Sequence, residues 1–140
     1  MKVTLNYSEN LHFKASAREF KNIEVDEPES FHGNNLGPSP IEYFLIGIGA
    51  CIGNTLVYCL NKKEIDVKDL EIIVDGELKH LQPHMHLRLV NIKIEFNFKK
   101  GLKISAENLK YCKSSLERYC PLFEPLLDGI PIKINFSNFK

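Results

Sequence analysis

The sequence predicts an α+β fold: an N-terminal antiparallel β-meander, a long buried central helix, a second β-hairpin, two C-terminal helices and a final strand. Three patterns carry that expectation. Short alternating apolar runs separated by turn residues fill the first 25 positions. An uncharged apolar stretch, residues 43–60, follows a strong helix-start signal. A second alternating block is then succeeded by apolar residues at helical spacing.

Residues 2–7, 11–17 and 20–25 form the predicted meander, with Glu9-Asn10 and Arg18-Glu19 at its turns. Asp26-Glu27-Pro28-Glu29 stops the third strand, and residues 29–38 make a polar loop rich in Gly, Asn and Pro. Ser39-Pro40-Ile41-Glu42 opens the central helix. Ser39 caps, Pro40 is pre-set for the first helical position, and Glu42 completes a capping box. The helix is expected to reach about Asn61, with Lys62 and Lys63 at its negative end. Its glycines cost helix stability, roughly 1 kcal/mol each against alanine. Another helix or a substrate must therefore come close to it.

Residues 70–79 and 87–98 alternate as strands. Gln82-Pro83 interrupts between them, a phase break near Val90-Asn91 suggests a bulge, and Lys99-Lys100-Gly101 closes the hairpin. Ser105 caps a second helix with the stripe Leu109, Cys112, Leu116 and Tyr119, which Pro121 ends. Residues 121–127 form a short third helix, and residues 130–136 the final strand.

A chain of 140 residues fits one domain, 1–140. Eighteen basic residues balance eighteen acidic ones, so no global field favours nucleic acid or anionic lipid. The apolar stretch nears the length of a membrane span, but its Gly, Asn and Thr content favours a buried helix of a soluble protein. The N-terminus shows no signal-peptide pattern, which points to the cytoplasm, where cysteines are more often catalytic than stapling. Four cysteines are not expected to form a disulfide scaffold.

Two cysteines stand in unusual settings. Cys120 precedes Pro121 and is a candidate N-cap of the short helix, where free amides would favour a thiolate. Simple packing as a buried cysteine is the alternative. Cys51 lies in Gly47-Ile48-Gly49-Ala50-Cys51-Ile52-Gly53, too deep in its helix for the terminal dipole, so its activation requires a cation. The small residues around it open space beside the sulfur.

The run Gly37-Pro38-Ser39-Pro40-Ile41-Glu42-Tyr43-Phe44-Leu45, followed by Cys51, closely resembles the central helix of OsmC/Ohr-type proteins. Tyr119-Cys120-Pro121, with Gly129-Ile130-Pro131 behind it, resembles their second cysteine motif, and the resemblance covers essentially the whole chain. It implies an OsmC-like fold in an intertwined homodimer, with Cys51 as the peroxidatic and Cys120 as the resolving cysteine. It further implies organic hydroperoxides as substrates, an external dithiol as reductant and no cofactor. The chain is a divergent member. The family's glutamate directly follows the helix-start proline, whereas Ile41 stands here and the acid falls at Glu42. Glu42 lies on the opposite side of the helix from Cys51, about 13 Å along the axis, and capping accounts for it. The cation beside Cys51 could be Arg18, His32 when protonated, or a residue of a partner chain; Arg18 also reads as a solvated turn residue.

Cys59 and Cys112 read as buried apolar cysteines, with a backup resolving role as the alternative. His80, His84 and His86 lack the further ligands a zinc site needs, so no metal is expected. A peroxidase is thus the leading expectation, beside an OsmC-like small-ligand-binding protein or a thiol redox sensor without turnover. The apolar, glycine-lined helix is too greasy for one small domain to cover, so burial by a partner is expected as well.

Overall fold

Alternation over the first residues does produce a meander. In the computed structural model, which describes residues 1–98 and 104–135, β1 (Val3–Glu9), β2 (His12–Ala17) and β3 (Phe20–Val25) form an antiparallel sheet in that order. Its tight turns use Asn10 and Arg18 at positive φ, 47° and 54°. The chain divides into two compact units, Met1–Gly47 and Ile48–Lys140.

In the first unit, β3 ends at a fully buried carboxylate. Asp26 accepts hydrogen bonds from the backbone amides of Glu27, Asn34 and Leu36 at 2.9, 3.0 and 3.2 Å. Buried charge demands such donors, and here they fold the polar loop back on itself. A 3-10 turn at Glu29–Phe31 lies inside that loop. Gly33 packs so closely on the Glu27 backbone that a β-carbon there would overlap the carbonyl. Helix α1 (Pro40–Lys62) then begins with the expected reciprocal box. The Ser39 amide donates to the Glu42 carboxylate at 2.7 Å, and the Glu42 amide donates to Ser39 Oγ at 3.3 Å. Tyr43 ties this first turn to the sheet by donating its hydroxyl to the Glu24 carbonyl at 2.8 Å.

In the second unit, β4 (Glu71–Leu81) and β5 (His86–Asn97) pair antiparallel through a turn containing a cis Gln82–Pro83 bond. The register steps from Glu77↔Asn91 to Leu78↔Leu89, leaving Val90 as the extra residue of a bulge. The expected phase break is there. Ile48, Gly49, Ile52, Gly53, Leu56, Cys59 and Leu60 of α1 are buried. At Gly49 and Gly53 it is the hairpin that comes close: β-carbons there would overlap the side-chain tips of Val74 and Ile72. Gly47 is different, since a β-carbon there meets nothing within 4 Å. By length and composition α1 could cross a membrane, but its second half lays this apolar stripe on β4 and β5.

Helix α2 (Ala106–Tyr119) starts where expected, with the Asn108 amide donating to Ser105 Oγ at 3.1 Å. Two C-terminal expectations need correction. Helix α3 spans Phe123–Asp128 with Leu122 as its N-cap, so it starts two residues later than Pro121 suggested. The Phe123 amide bonds the Cys120 carbonyl in a single turn, and Leu126 to Leu122 is the first full helical step. Residues 130–135 form no strand; Ile130, Ile132 and Ile134 alternate as a strand should, yet all are exposed. A strand needs a ladder partner, and this segment has none within the described residues. Position 136 and the Lys99-Lys100-Gly101 closure lie outside the described residues.

Candidate functional site

The two cysteines of the sequence motifs meet. Cys51, on α1, and Cys120, at the end of α2, place their Sγ atoms 3.6 Å apart. Closing a disulfide, with sulfurs about 2.0 Å apart, needs only a small approach from here. The surroundings are apolar. Cys120 is buried in one cluster with Ile48 and Ile52, against which Ile92, Ile94, Leu116, Leu122 and Phe123 pack. Cys51 is the partly exposed member of the pair, and therefore the sulfur a reagent reaches.

Cys120 does not occupy the expected helix start. It is the C-cap of α2, its amide bonded to the Leu116 carbonyl at 3.1 Å. The start of α3 instead serves the other sulfur, because the Leu122 amide acts on Cys51 in favour of its thiolate. That influence is outweighed. Burial, followed by the hydrogen bond with Cys120 and that residue's charge, pushes the Cys51 thiol above the ordinary range.

The candidate activators each have local neighbours of their own. Arg18 sits on the β2–β3 turn with its side chain largely exposed, 3.7 Å from Glu19 and over the Phe20 ring at 5.2 Å. His32 ends the 3-10 turn in the left-handed region and is exposed. Glu42 is spent on the capping box, whose Ser39 amide and hydroxyl hold its carboxyl below the usual range. Among the histidines, His80 Nδ1 lies 2.7 Å from the Met85 carbonyl, and the His84 and His86 rings are 5.5 Å apart. No group of three metal-capable side chains gathers among the described residues.

Sequence reasoning missed one linkage. Cys59 and Cys112 are joined as a disulfide, with Cα atoms 5.6 Å apart and a sequence separation of 53. They are not free packing cysteines. The signal was present in their spacing: Cys59 follows Cys51 by eight residues, and Cys112 precedes Cys120 by eight. Matched spacing on two antiparallel helices sets the second pair at the same level as each other, about 80° around each helix from the first. A groove of about 580 Å³, lined by Tyr58, Cys59, Lys62, Tyr111, Tyr119 and smaller polar residues, borders this disulfide through Cys59, and neither Cys51 nor Cys120 lines it.

A facing thiol pair, held between a helix and a two-stranded sheet in an α+β chain, defines a class of cysteine-pair proteins. Residues 32–135 match the family model of the OsmC-like protein, and the chain belongs to the OsmC-like family. Solved structures agree on the fold. An OsmC-like protein from Mycoplasma pneumoniae is 20% identical, with a TM-score of 0.73 over 90% of this chain and 86% of that one. The organic hydroperoxide resistance protein OhrB of Bacillus subtilis is 19% identical, with a TM-score of 0.60 over 86% and 84%. An organic hydroperoxide resistance protein OsmC from Legionella pneumophila is 14% identical, with a TM-score of 0.65 over 89% and 87%. No curated protein matches the sequence.

Proposed function

We propose that the protein is a thiol-dependent peroxidase that reduces organic hydroperoxides, with Cys51 attacking and Cys120 resolving. One observation carries the reading: the 3.6 Å sulfur separation inside an apolar cluster. The partly exposed Cys51 loses its proton and attacks the O–O bond, the bond breaks, and the alcohol leaves with a proton. Cys51 is then a sulfenic acid. The Cys120 thiol condenses with it, the S–S bond forms and water departs. An external dithiol returns two electrons and two protons, restoring both thiols. The apolar side chains around the pair suit an alkyl or aryl substituent better than bare hydrogen peroxide. Family neighbours named for organic hydroperoxide resistance are consistent with this choice.

The same reading includes a cytoplasmic homodimer. Exposed Ile130, Ile132 and Ile134 form an unpaired alternating segment, and Phe44, Ile46 and Tyr58 leave apolar surface on α1. A second copy would pair the first and cover the second, and it would also bring new side chains toward Gly47, where space is open.

The raised thiol of Cys51 favours a second reading, a thiol redox sensor that is oxidised once and recycled slowly. Stopped-flow assay of cumene hydroperoxide consumption with excess dithiothreitol separates the two. The peroxidase gives many turnovers, Cys51→Ser gives none, and Cys120→Ser stops at the sulfenic acid, trapped by dimedone. A single turnover in the wild type, despite excess dithiol, overturns the enzyme reading in favour of the sensor.

A further inference from the structure

We propose that the Cys59–Cys112 disulfide is a positioning link for the Cys51/Cys120 reaction, closed throughout the cycle and holding α1 and α2 in register; the proposal rests on the thiol chemistry assigned to that pair. The two pairs are rungs between the same two chain segments, one at each end of an eight-residue step. Eight residues rise about 12 Å along a helix. Apolar contacts between α1 and α2 are non-directional and tolerate sliding by fractions of a turn. A covalent rung so near removes that freedom, so the 3.6 Å approach of Cys51 and Cys120 no longer depends on side-chain packing alone.

Burial separates the two rungs chemically. Cys112 is 0% and Cys59 5% exposed, buried in a cluster with Leu56 and Leu60, and only Cys59 borders the neighbouring groove. Thiol–disulfide exchange requires an incoming thiolate to reach a sulfur. The reacting rung offers partly exposed Cys51 for that purpose, whereas the second rung offers only Cys59, 5% exposed at the groove, and fully buried Cys112. The second rung closes once, when both thiols give up two electrons and two protons to a hydroperoxide, yielding alcohol and water. Thereafter the dithiol that reopens Cys51–Cys120 leaves Cys59–Cys112 intact.

Non-reducing peptide mapping of the whole wild-type chain, after one equivalent of cumene hydroperoxide and after graded dithiothreitol, tests the first half. The expected result is a Cys51–Cys120 link that comes and goes while Cys59–Cys112 persists. Equal opening of both links at the same dithiol concentration overturns the claim, as does a Cys59–Cys112 pair that remains free thiols after oxidation. The second half is read from the Cys59→Ala/Cys112→Ala variant. Sulfenic acid formation at Cys51 should stay within about twofold of wild type, while closure to Cys120 slows roughly tenfold or more and dimedone adducts accumulate. Unchanged closure overturns the positioning role. Closure is also measured with diamide, a thiol oxidant that needs no peroxide chemistry. Failure of the hydroperoxide reaction alone therefore counts against the peroxidase and not against the link.

Discussion

The same two helices carry two cysteine pairs whose surroundings differ. At one end, Cys51 stays partly exposed, its sulfur near Cys120 and the Leu122 amide. At the other, Cys59 and Cys112 are enclosed by Leu56, Leu60 and Leu116 and are bonded to each other. Residue type, helix and spacing are shared. What differs is access and local dipoles, so the contrast is between a partly exposed free thiol and a buried pair already bonded.

The largest test of that contrast is thermodynamic. Cross-linking 53 residues removes chain entropy from the unfolded state, which corresponds to about 4 kcal/mol. Urea unfolding of the Cys59→Ala/Cys112→Ala variant should show a loss of that order. The Cys51→Ala/Cys120→Ala variant of the reduced protein, which removes no covalent bond, should lose clearly less. Equal losses would mean that both pairs serve structure alike.

A second test sharpens the chemical side through pH. Because the Cys51 thiol is raised, its thiolate is scarce near neutrality, and alkylation by iodoacetamide should accelerate about tenfold per pH unit through the ordinary thiol range. A plateau below about pH 8 would reveal a cation acting on Cys51. The same shift has a sign for folding. A raised folded value means the contribution to stability is complete below the ordinary thiol pKa and is lost as pH rises through the folded value.

The smallest effect serves as a control at the far end of α1. Ser39→Ala should cost about 1 kcal/mol in thermal or urea unfolding by removing one half of the capping box. Glu42 contributes above the ordinary carboxylate range, because its folded value is lowered, and that contribution fades as pH falls through the folded value. Neither change should alter the rate of Cys51–Cys120 closure. A large effect on that rate would give Glu42 a role beyond capping.

Local signals made much of the fold legible. The Ser39/Glu42 box, the Ser105 cap and the Val90 bulge each depend on a few neighbouring residues, and all three stand where the sequence placed them. Misreadings came where a neighbour in space decides. Pro121 looked like the first residue of a helix, but the chain turns once through Cys120 and Phe123 before α3 begins. The amide expected to act on Cys120 consequently acts on Cys51. Residues 130–135 have a strand's alternation and no ladder, because alternation describes a face and a strand also requires an edge to join.

By itself the sequence determined most of the elements, the family and which two cysteines stand in its motifs, since helix caps, alternation and motif spacing are properties of the chain taken in order. Only the tertiary structure decided that Cys59 bonds Cys112, that Gly49 and Gly53 make room for β4, and that the Cys51 thiol is raised. Each of these depends on distance and burial between residues far apart in sequence, and such quantities exist only once α1, α2 and the hairpin have packed.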